Sequence, residues 1–370
     1  MLPAILPLLI LNYNYSYFAA GLLVTAYQLT SSVTQPVIGW LSDTKGFFVH
    51  VSISLLIGAV FIGLIGIAHN YFIVMVFAIL AALGHATFHP TALSIVSRLC
   101  NSENRARITS YFVVGGNLGF AVGPILAGIV VWWLGLPGLL LLIFPAMFMA
   151  LTLKFVLSDT ISKAYTERKK VEVSKIPDSI NPFLILLSSS IFRAWAIYAV
   201  IAFLPTYLVT QGYDLVVASA IATLMLLAGV VGQIFGGYLS DRYGKKEFIL
   251  LGQILTIPPF YVFFLTSGVV SIIALILFGF ALWSTFSVPI AMSHELLPQN
   301  VGLASGLMLG LAIGIGGLGV AVNGIIADHY SLAVALSTIP IPIIISLFLM
   351  IVLPYPLKSL KRFSLSNFER

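Results

Sequence analysis

The chain has 370 residues, of which 60% are hydrophobic and 8% charged, and its mean hydropathy is +1.08. Soluble domains carry about 25% charged residues, because a surface that faces water must be polar. The composition therefore excludes an ordinary soluble domain and predicts an all-α protein embedded in a lipid bilayer.

The apolar stretches of the first half have the lengths of membrane-spanning helices, which need about 20 apolar residues each. A short stretch covers residues 1–11, and longer ones cover residues 18–41, 49–68, 71–99, 107–133 and 138–157. A helix over the short stretch would rise only about 16 Å, about half of the hydrocarbon core. We therefore expect this stub to be a re-entrant segment or a truncated first helix.

The pattern resumes after a polar interval, with stretches at residues 182–210, 215–239, 248–266, 271–293, 301–326 and 332–353. The sequence thus predicts eleven full spans and one stub. It also predicts four parts: a helical bundle over residues 1–157, a cytoplasmic linker over 158–181, a second bundle over 182–357 and a cytoplasmic tail over 358–370.

The basic residues predict the orientation, because Lys and Arg accumulate in cytoplasmic loops. Of the 18 Lys and Arg residues, all but Arg193 lie in the tail, or in or beside the connections that follow even-numbered spans, and so on one side of the membrane. We therefore expect a plasma-membrane protein with both termini in the cytoplasm. The net charge of +6 is explained by this topology and does not require a nucleic-acid partner.

A short motif occurs twice, 198 residues apart. Residues 39–46 read Gly-Trp-Leu-Ser-Asp-Thr-Lys-Gly, and residues 237–244 read Gly-Tyr-Leu-Ser-Asp-Arg-Tyr-Gly. Because each copy follows the second span of a six-span unit, the repeat predicts two halves related by an axis along the membrane normal. This architecture is typical of transporters.

Both copies resemble the loop motif of the major facilitator superfamily. The resemblance implies the fold of that family, with two six-helix bundles that rock about a site in the middle of the membrane. It also implies a gating role on the cytoplasmic side for the motif residues, which are Gly39, Asp43, Gly237, Asp241 and Arg242.

Three further strings resemble the fosmidomycin resistance protein family in their order and spacing. They are Phe-His-Pro at residues 88–90, His-Glu-Leu-Leu-Pro at 294–298 and Ile-Ala-Asp-His at 326–329. A stripe of small residues from Gly115 to Gly128 packs helices closely in many membrane proteins. It also resembles a motif of the antiporter and drug-efflux branches, which implies export.

Arg193 lies about eleven residues into the seventh span, near the predicted bilayer centre. An ionised group there costs about 3 kcal/mol or more, so it is a functional hypothesis by default. Its guanidinium would bind an anionic oxygen group such as a phosphonate or a carboxylate in a bidentate manner. The alternative is a cation satisfied by backbone carbonyls and neighbouring polar side chains.

His85 and His89 are four residues apart on one face of the fourth span, where they could contact substrate or carry a proton. They could instead be hydrogen-bonded to neighbouring helices. A metal site is disfavoured because no carboxylate or thiolate accompanies them. Gln35, Asn117 and Tyr111 are further candidates for substrate contact.

These observations predict a secondary transporter that couples efflux of small drug-like or anionic organic compounds to protons. The alternatives are a proton-coupled uptake symporter for an organic anion and a non-transporting receptor on the same scaffold. The sequence contains no catalytic constellation and no nucleotide-binding loop, so we expect neither an enzyme nor a cofactor. The expected partners are a small-molecule substrate, protons and the bilayer, and we expect a monomer.

Overall fold

The computed structural model describes residues 2–45, 49–99, 105–166, 180–297 and 301–357, and within these ranges the chain is helical and has no strands. Nine helical segments of the described residues are long and apolar enough to cross a membrane. The predicted all-α membrane fold is therefore confirmed.

Six α-helices form the first half of the chain. They are α1 (Leu2–Tyr13), α2 (Tyr17–Lys45), α3 (Val51–Ile65), α4 (Tyr71–Leu99), α5 (Arg105–Leu134) and α6 (Ile143–Thr166). A short 3₁₀ segment, Leu136–Leu142, extends α6 at its start. The predicted stub corresponds to α1, whose apolar side chains are buried and which packs against α5 and α7.

Nine α-helices of 6 to 30 residues form the second half. They are α7 (Asn181–Thr210), α8 (Leu215–Tyr243), α9 (Lys245–Leu265), α10 (Gly268–Ser284), α11 (Val288–Leu296), α12 (Val301–Gly306), α13 (Ala312–His329), α14 (Leu332–Ser337) and α15 (Pro340–Val352).

Three predicted spans of this half are interrupted in the structure. The tenth breaks between α10 and α11, where Pro289 is the second residue of the new helix, and the twelfth breaks before Pro340. Proline lacks a backbone N–H and is favoured in the first turn of a helix, which explains both positions. The eleventh contains a π-helical turn, Leu307–Leu311, between α12 and α13.

α2 is more polar than the other long helices. It has 29 residues, as α4 does, but it is not among the nine apolar spans. Its buried polar side chains are Thr25, Gln28, Ser31 and Ser32. Such residues stabilise helix contacts inside a bundle and would be costly against lipid, so their burial shows that α2 lies in the protein interior.

The two halves of the chain meet along three pairs of helices, α2 with α13, α5 with α8, and α1 with α7. Glycine allows the first pair to approach closely: a Cβ atom on Gly314 would lie 2.6 Å from Ser32 Cβ, and one on Gly324 would lie 2.8 Å from Phe18 Cα. In the second pair, a Cβ atom on Gly128 would lie 2.7 Å from Ser219 Oγ.

The contacts do not extend along the whole interface. We call the end that carries Lys245 and Arg242 the basic end. Among the described residues, the last contact between the halves toward this end is made by Gln233 on α8 and by Gly310 in the π turn before α13. Gly237 and Gly306, one turn further, have no described atom within 4 Å of a Cβ position. The contacts between the two halves that the structure describes therefore lie toward the end opposite the basic end.

The packing at the interface predicts that two glycines differ in how well they tolerate a larger side chain. Replacing Gly314 with valine should lower the free energy of unfolding by about 1–3 kcal/mol, because the added atoms would overlap Ser32 across the interface. Gly119 of the predicted stripe has no described atom within 4 Å of a Cβ position, so Gly119→Val is the matched control. Thermal unfolding in detergent measures both, and equal midpoints would contradict the tight packing of Gly314.

Candidate substrate and proton site

A chain of hydrogen bonds joins the middle of α2 to the middle of α4. Gln35 Nε2 donates to Ser31 Oγ at 3.0 Å, Ser31 Oγ lies 2.9 Å from His85 Nδ1, and His85 Nε2 lies 2.9 Å from His89 Nε2. The structure thus brings three of the predicted site residues together. Ser31 was missing from the prediction, although it lies one helical turn before Gln35 and shares its face.

Aromatic rings enclose the histidine pair. Tyr27 stacks on His85 with ring centroids 5.9 Å apart, and Phe88 and Phe112 approach His89 edge-on at 5.7 and 6.3 Å. Among the described residues, no group of three His, Cys, Asp or Glu side chains is placed to hold a metal ion. The arrangement is suited to holding or passing a proton, because imidazole both donates and accepts.

Arg193 lies in α7 and is only 5% exposed. Its Nη1 donates to Leu282 O at 3.3 Å and to Thr285 Oγ1 at 3.0 Å, and its Nη2 donates to Phe286 O at 3.4 Å. These acceptors lie where α10 ends, and the last carbonyls of a helix lack intrahelical partners and carry its negative end. Part of the guanidinium therefore donates hydrogen bonds to the acceptors that the helix break leaves without a helical partner.

The remaining N–H groups of the guanidinium make no hydrogen bond to the described residues. Arg193 Nε is buried and has no hydrogen-bond partner among the described residues. Arg193 also lines a small recess, whose accessible volume of about 20 Å³ is about that of one water molecule. The other lining residues are Ser190, Ala194, Ile197, Phe286, Pro289, Ile290, Met308, Leu309, Ala312 and Ile313. The recess is apolar apart from Ser190 and Arg193, and in this conformation it is smaller than a drug-sized ligand.

Asn117 makes a polar contact between the two halves of the chain. Its Nδ2 donates to Gln233 Oε1 at 2.6 Å, from α5 to α8. Gln233 was missing from the prediction, although a lone amide within an apolar span is the signal that selected Asn117. For Gly39, Asp43 and Tyr111 the structure describes the helical backbone alone, so their predicted contacts lie outside the described part of the chain.

The second copy of the loop motif lies in a charged cluster at the basic end. Lys245 Nζ lies 2.7 Å from Glu295 Oε1 and 3.9 Å from Asp241 Oδ1, and the Tyr355 hydroxyl donates to Glu295. Burial and the adjacent Glu295 carboxylate raise the pKa of Tyr355 above its usual range. The cluster joins α8, α9 and α11 to the segment after α15.

The first turn of α2 is capped partly by the other half of the chain. Ser16 Oγ accepts from Ala19 N at 3.1 Å, whereas Asp328, at the end of α13, accepts from Tyr17 N at 2.7 Å and from Phe18 N at 2.9 Å. A helix begins with N–H groups that lack intrahelical acceptors and carry its positive end, which favours a carboxylate. Asp328 thus holds the two halves together opposite the basic end.

Replacing Asp328 with alanine should loosen this end. The buried Thr25 side chain, which donates to Gly317 O at 2.7 Å across the interface, is a suitable place for a reporter cysteine. In a Cys100→Ser background, we expect Asp328→Ala to raise the rate of maleimide labelling of Thr25→Cys by about fivefold, because a charge-assisted cap is lost. His329→Ala is the adjacent control, and unchanged labelling in Asp328→Ala would contradict the prediction.

Two helical bundles that contact each other along α2 and α13 and along α5 and α8, with polar groups at mid-depth, are typical of a membrane carrier protein. A sequence model of the Major Facilitator Superfamily matches residues 1–318 and again residues 212–366. The chain belongs to the Major Facilitator Superfamily. It is a multi-pass membrane transporter and not an enzyme.

Individual transporters are also similar to this chain in sequence or in fold. The chain is 31% identical to the fosmidomycin resistance protein of Escherichia coli over 345 residues, which cover 89% of this chain and 82% of that protein. It is 23% identical to the hexuronate transporter of the same organism over 81% and 77% of the two chains. Its fold is similar to that of a bacterial homologue of the human lysosomal transporter Spinster, with a TM-score of 0.80 at 16% identity, over 95% of this chain and 92% of that one.

Proposed function

We propose that this transporter exports small drug-like or anionic organic compounds in exchange for protons. The observation that carries the proposal is the hydrogen-bonded chain from Gln35 through Ser31 to His85 and His89. An exchanger needs a group that gains and loses a proton inside the membrane, and imidazole is the side chain whose ordinary pKa suits that task. Similarity to the fosmidomycin resistance protein supports export.

The proposed anion site is the recess beside Arg193. A guanidinium has five N–H groups, and three of them donate to the break after α10. The Nε N–H and one Nη2 N–H remain, and two such donors match the two oxygens of a carboxylate or phosphonate. In this arrangement Arg193 has both of the roles considered from the sequence. One part of its guanidinium bonds to carbonyls and a hydroxyl at the helix break, and the other part binds the anionic substrate.

Polar groups of the first bundle complete the proposed substrate site. Gln35 and His85 lie on α2 and α4, and Asn117 lies on α5 beside Gln233 of the second bundle. We include Tyr111 from the sequence pattern. A substrate between the bundles would contact both, so its binding would favour some relative positions of the bundles over others.

The transport cycle is proposed as a rocking of residues 1–157 against residues 182–357, joined by a cytoplasmic linker over 158–181 and followed by a cytoplasmic tail over 358–370. The basic end is taken as cytoplasmic, with both termini there, in the plasma membrane. The loop motifs, with Gly39 and Asp43 in one copy and Asp241 and Arg242 in the other, would gate that end. The working unit is taken as a monomer.

A second candidate is uptake of an organic anion together with protons. Similarity to the hexuronate transporter favours it, and a cation at mid-depth suits an anion that moves in either direction.

The direction of coupling separates the two candidates. Purified protein in liposomes would be tested for uptake of fosmidomycin and of a panel of carboxylates under pH gradients of either sign. Uptake driven by an acidic interior would support exchange, and uptake driven by an acidic exterior would support symport. Counterflow without dependence on either gradient would overturn proton coupling, and protein-free liposomes give the background.

A further inference from the structure

The geometry of the histidine pair limits the number of protons it can hold. His85 Nε2 and His89 Nε2 are 2.9 Å apart, and a hydrogen bond between two ring nitrogens contains one proton because one must donate and the other accept. With a proton on each, two N–H groups would face each other. Two imidazolium rings with centroids 4.7 Å apart would also repel. The pair therefore keeps this geometry with one added proton and loses it with two.

An added proton also fixes the hydrogen bond between His85 and Ser31. In the neutral pair, either group of the contact between His85 Nδ1 and Ser31 Oγ can donate. In the singly protonated pair, three protons occupy four ring nitrogens, and one of the three is shared between the Nε2 atoms. Both Nδ1 atoms then carry a proton, so His85 must donate and Ser31 must accept.

This requirement changes what the Ser31 hydroxyl does. Gln35 Nε2 already donates to Ser31 Oγ at 3.0 Å, so in the protonated state both lone pairs of that oxygen are used. The hydroxyl proton must then point to another acceptor, for which serine in a helix commonly uses a carbonyl of the preceding turn. Protonation of the pair thus sets the orientation of a hydroxyl on α2.

α2 is the helix that transmits such a change to the other bundle. Ser31 and Ser32 are 2% and 4% exposed. Ser31 contacts His85, whereas the adjacent Ser32 is close to α13: a Cβ atom on Gly314 would lie 2.6 Å from Ser32 Cβ, and one on Gly310 would lie 3.1 Å from Ser32 O. Adjacent residues of one helix therefore contact the histidine pair and the second bundle.

Among the residues whose side chains are described, few other ionisable groups surround the pair. Tyr27 faces His85 from α2. α3 has no ionisable side chain between Val51 and Ile65, and residues 112–134 of α5 have none. On α6 the side chain of Lys154 is exposed. No described carboxylate on these helices would compensate a second positive charge, which agrees with a limit of one proton.

We propose that the His85–His89 pair binds one proton per transport cycle and that Ser31 is the positioning residue that connects its protonation to the interface between the bundles. The inference rests on the proposed proton coupling and adds its stoichiometry and the route to α2.

Proton binding by purified protein in nanodiscs tests the stoichiometry without a substrate. Proton uptake between about pH 8 and about pH 4 would be compared for the wild type and a His85→Gln, His89→Gln double variant. We expect the wild type to take up one proton more per chain. A difference of two would overturn the single-proton limit, and no difference would overturn titration of the pair. Because no transport is measured, either failure is distinct from a wrong substrate or direction.

The role of Ser31 is tested by three single variants in the same assay. Ser31→Ala removes the acceptor that the charged pair needs, so the midpoint of the pair's uptake should move to lower pH by about one unit. Ser31→Thr keeps the hydroxyl and should keep the wild-type midpoint. Ser32→Ala is the matched control on the same helix. If Ser31→Ala does not fold, Ser31→Cys, with its weak acceptor, replaces it; an unchanged midpoint in a folded variant without the hydroxyl would overturn the positioning role.

Discussion

Replacing His85 with glutamine is expected to reduce transport driven by a pH gradient by about 100-fold, with a much smaller loss of counterflow. Glutamine can keep hydrogen bonds to Ser31 and His89, the two partners of His85, but it cannot carry a proton. Positioned proton transfer groups commonly contribute factors of about 10²–10⁴. The two rates would be measured on the same liposomes, with fosmidomycin as the probe.

His294 provides the control for this substitution. It is a histidine of the second bundle whose Nε2 lies 2.7 Å from Ser305 Oγ, far along the chain from the proposed proton site. His294→Gln should leave the ratio of gradient-driven transport to counterflow unchanged. If His85→Gln lowered both rates equally, His85 would act in substrate binding or folding, and the coupling role would be wrong.

Replacing Arg193 with alanine is expected to lower affinity for an anionic probe by about 100-fold and also to destabilise the protein. Loss of two hydrogen bonds to a charged group corresponds to about 3 kcal/mol, which is about 100-fold in binding. Phe286 O would at the same time lose the bond from Arg193, and Leu282 O would keep only the longer contact from Thr285 Oγ1 at 3.4 Å. A buried acceptor left without a partner costs about 1–3 kcal/mol. Binding and thermal unfolding would be measured in detergent.

Two variants separate the effects that Arg193→Ala combines. Thr285→Val removes one acceptor of the helix break and leaves the N–H groups proposed for substrate, so stability should fall while anion affinity is kept. Arg193→Lys keeps the charge but lacks the planar pair of donors, so it should not restore affinity. Wild-type affinity in Arg193→Lys would show that charge alone is used, and wild-type affinity in Arg193→Ala would make Arg193 purely structural.

Most of the fold could be predicted from hydropathy, because a segment inside a bilayer must satisfy its own backbone and therefore forms a helix wherever it is long and apolar. The seventh span, predicted over residues 182–210, is α7, Asn181–Thr210. The breaks were not predicted. The tenth span breaks at Thr-Phe-Ser, residues 285–287, ahead of Pro289. Proline also occurs inside unbroken helices, at Pro90 of α4 and Pro124 of α5, so tertiary contacts such as those of Arg193 decide where a span departs from the α-helix.

The candidate site was predictable in part for a related reason. Ionisable side chains are rare in membrane spans, so His85, His89 and Arg193 stand out in the sequence. Ser31 does not, because serine is common in spans and its role depends on a partner 54 residues away. The contact of Asp328 with the start of α2 involves backbone N–H groups, which leave no mark in a sequence. Contacts between residues of different helices or bundles can be identified only in the three-dimensional structure.

Gly237 and Gly306 have no described neighbour that would require glycine, although glycine costs a helix about 1 kcal/mol relative to alanine. In the proposed rocking cycle the basic end closes, and small residues at Gly237 on α8 and Gly306 on α12 would let these faces meet their partners. Valine at both positions is then expected to hinder closure while leaving the present contacts intact. In that cycle such a variant would bind its ligand from one side of the membrane and would not release it on the other.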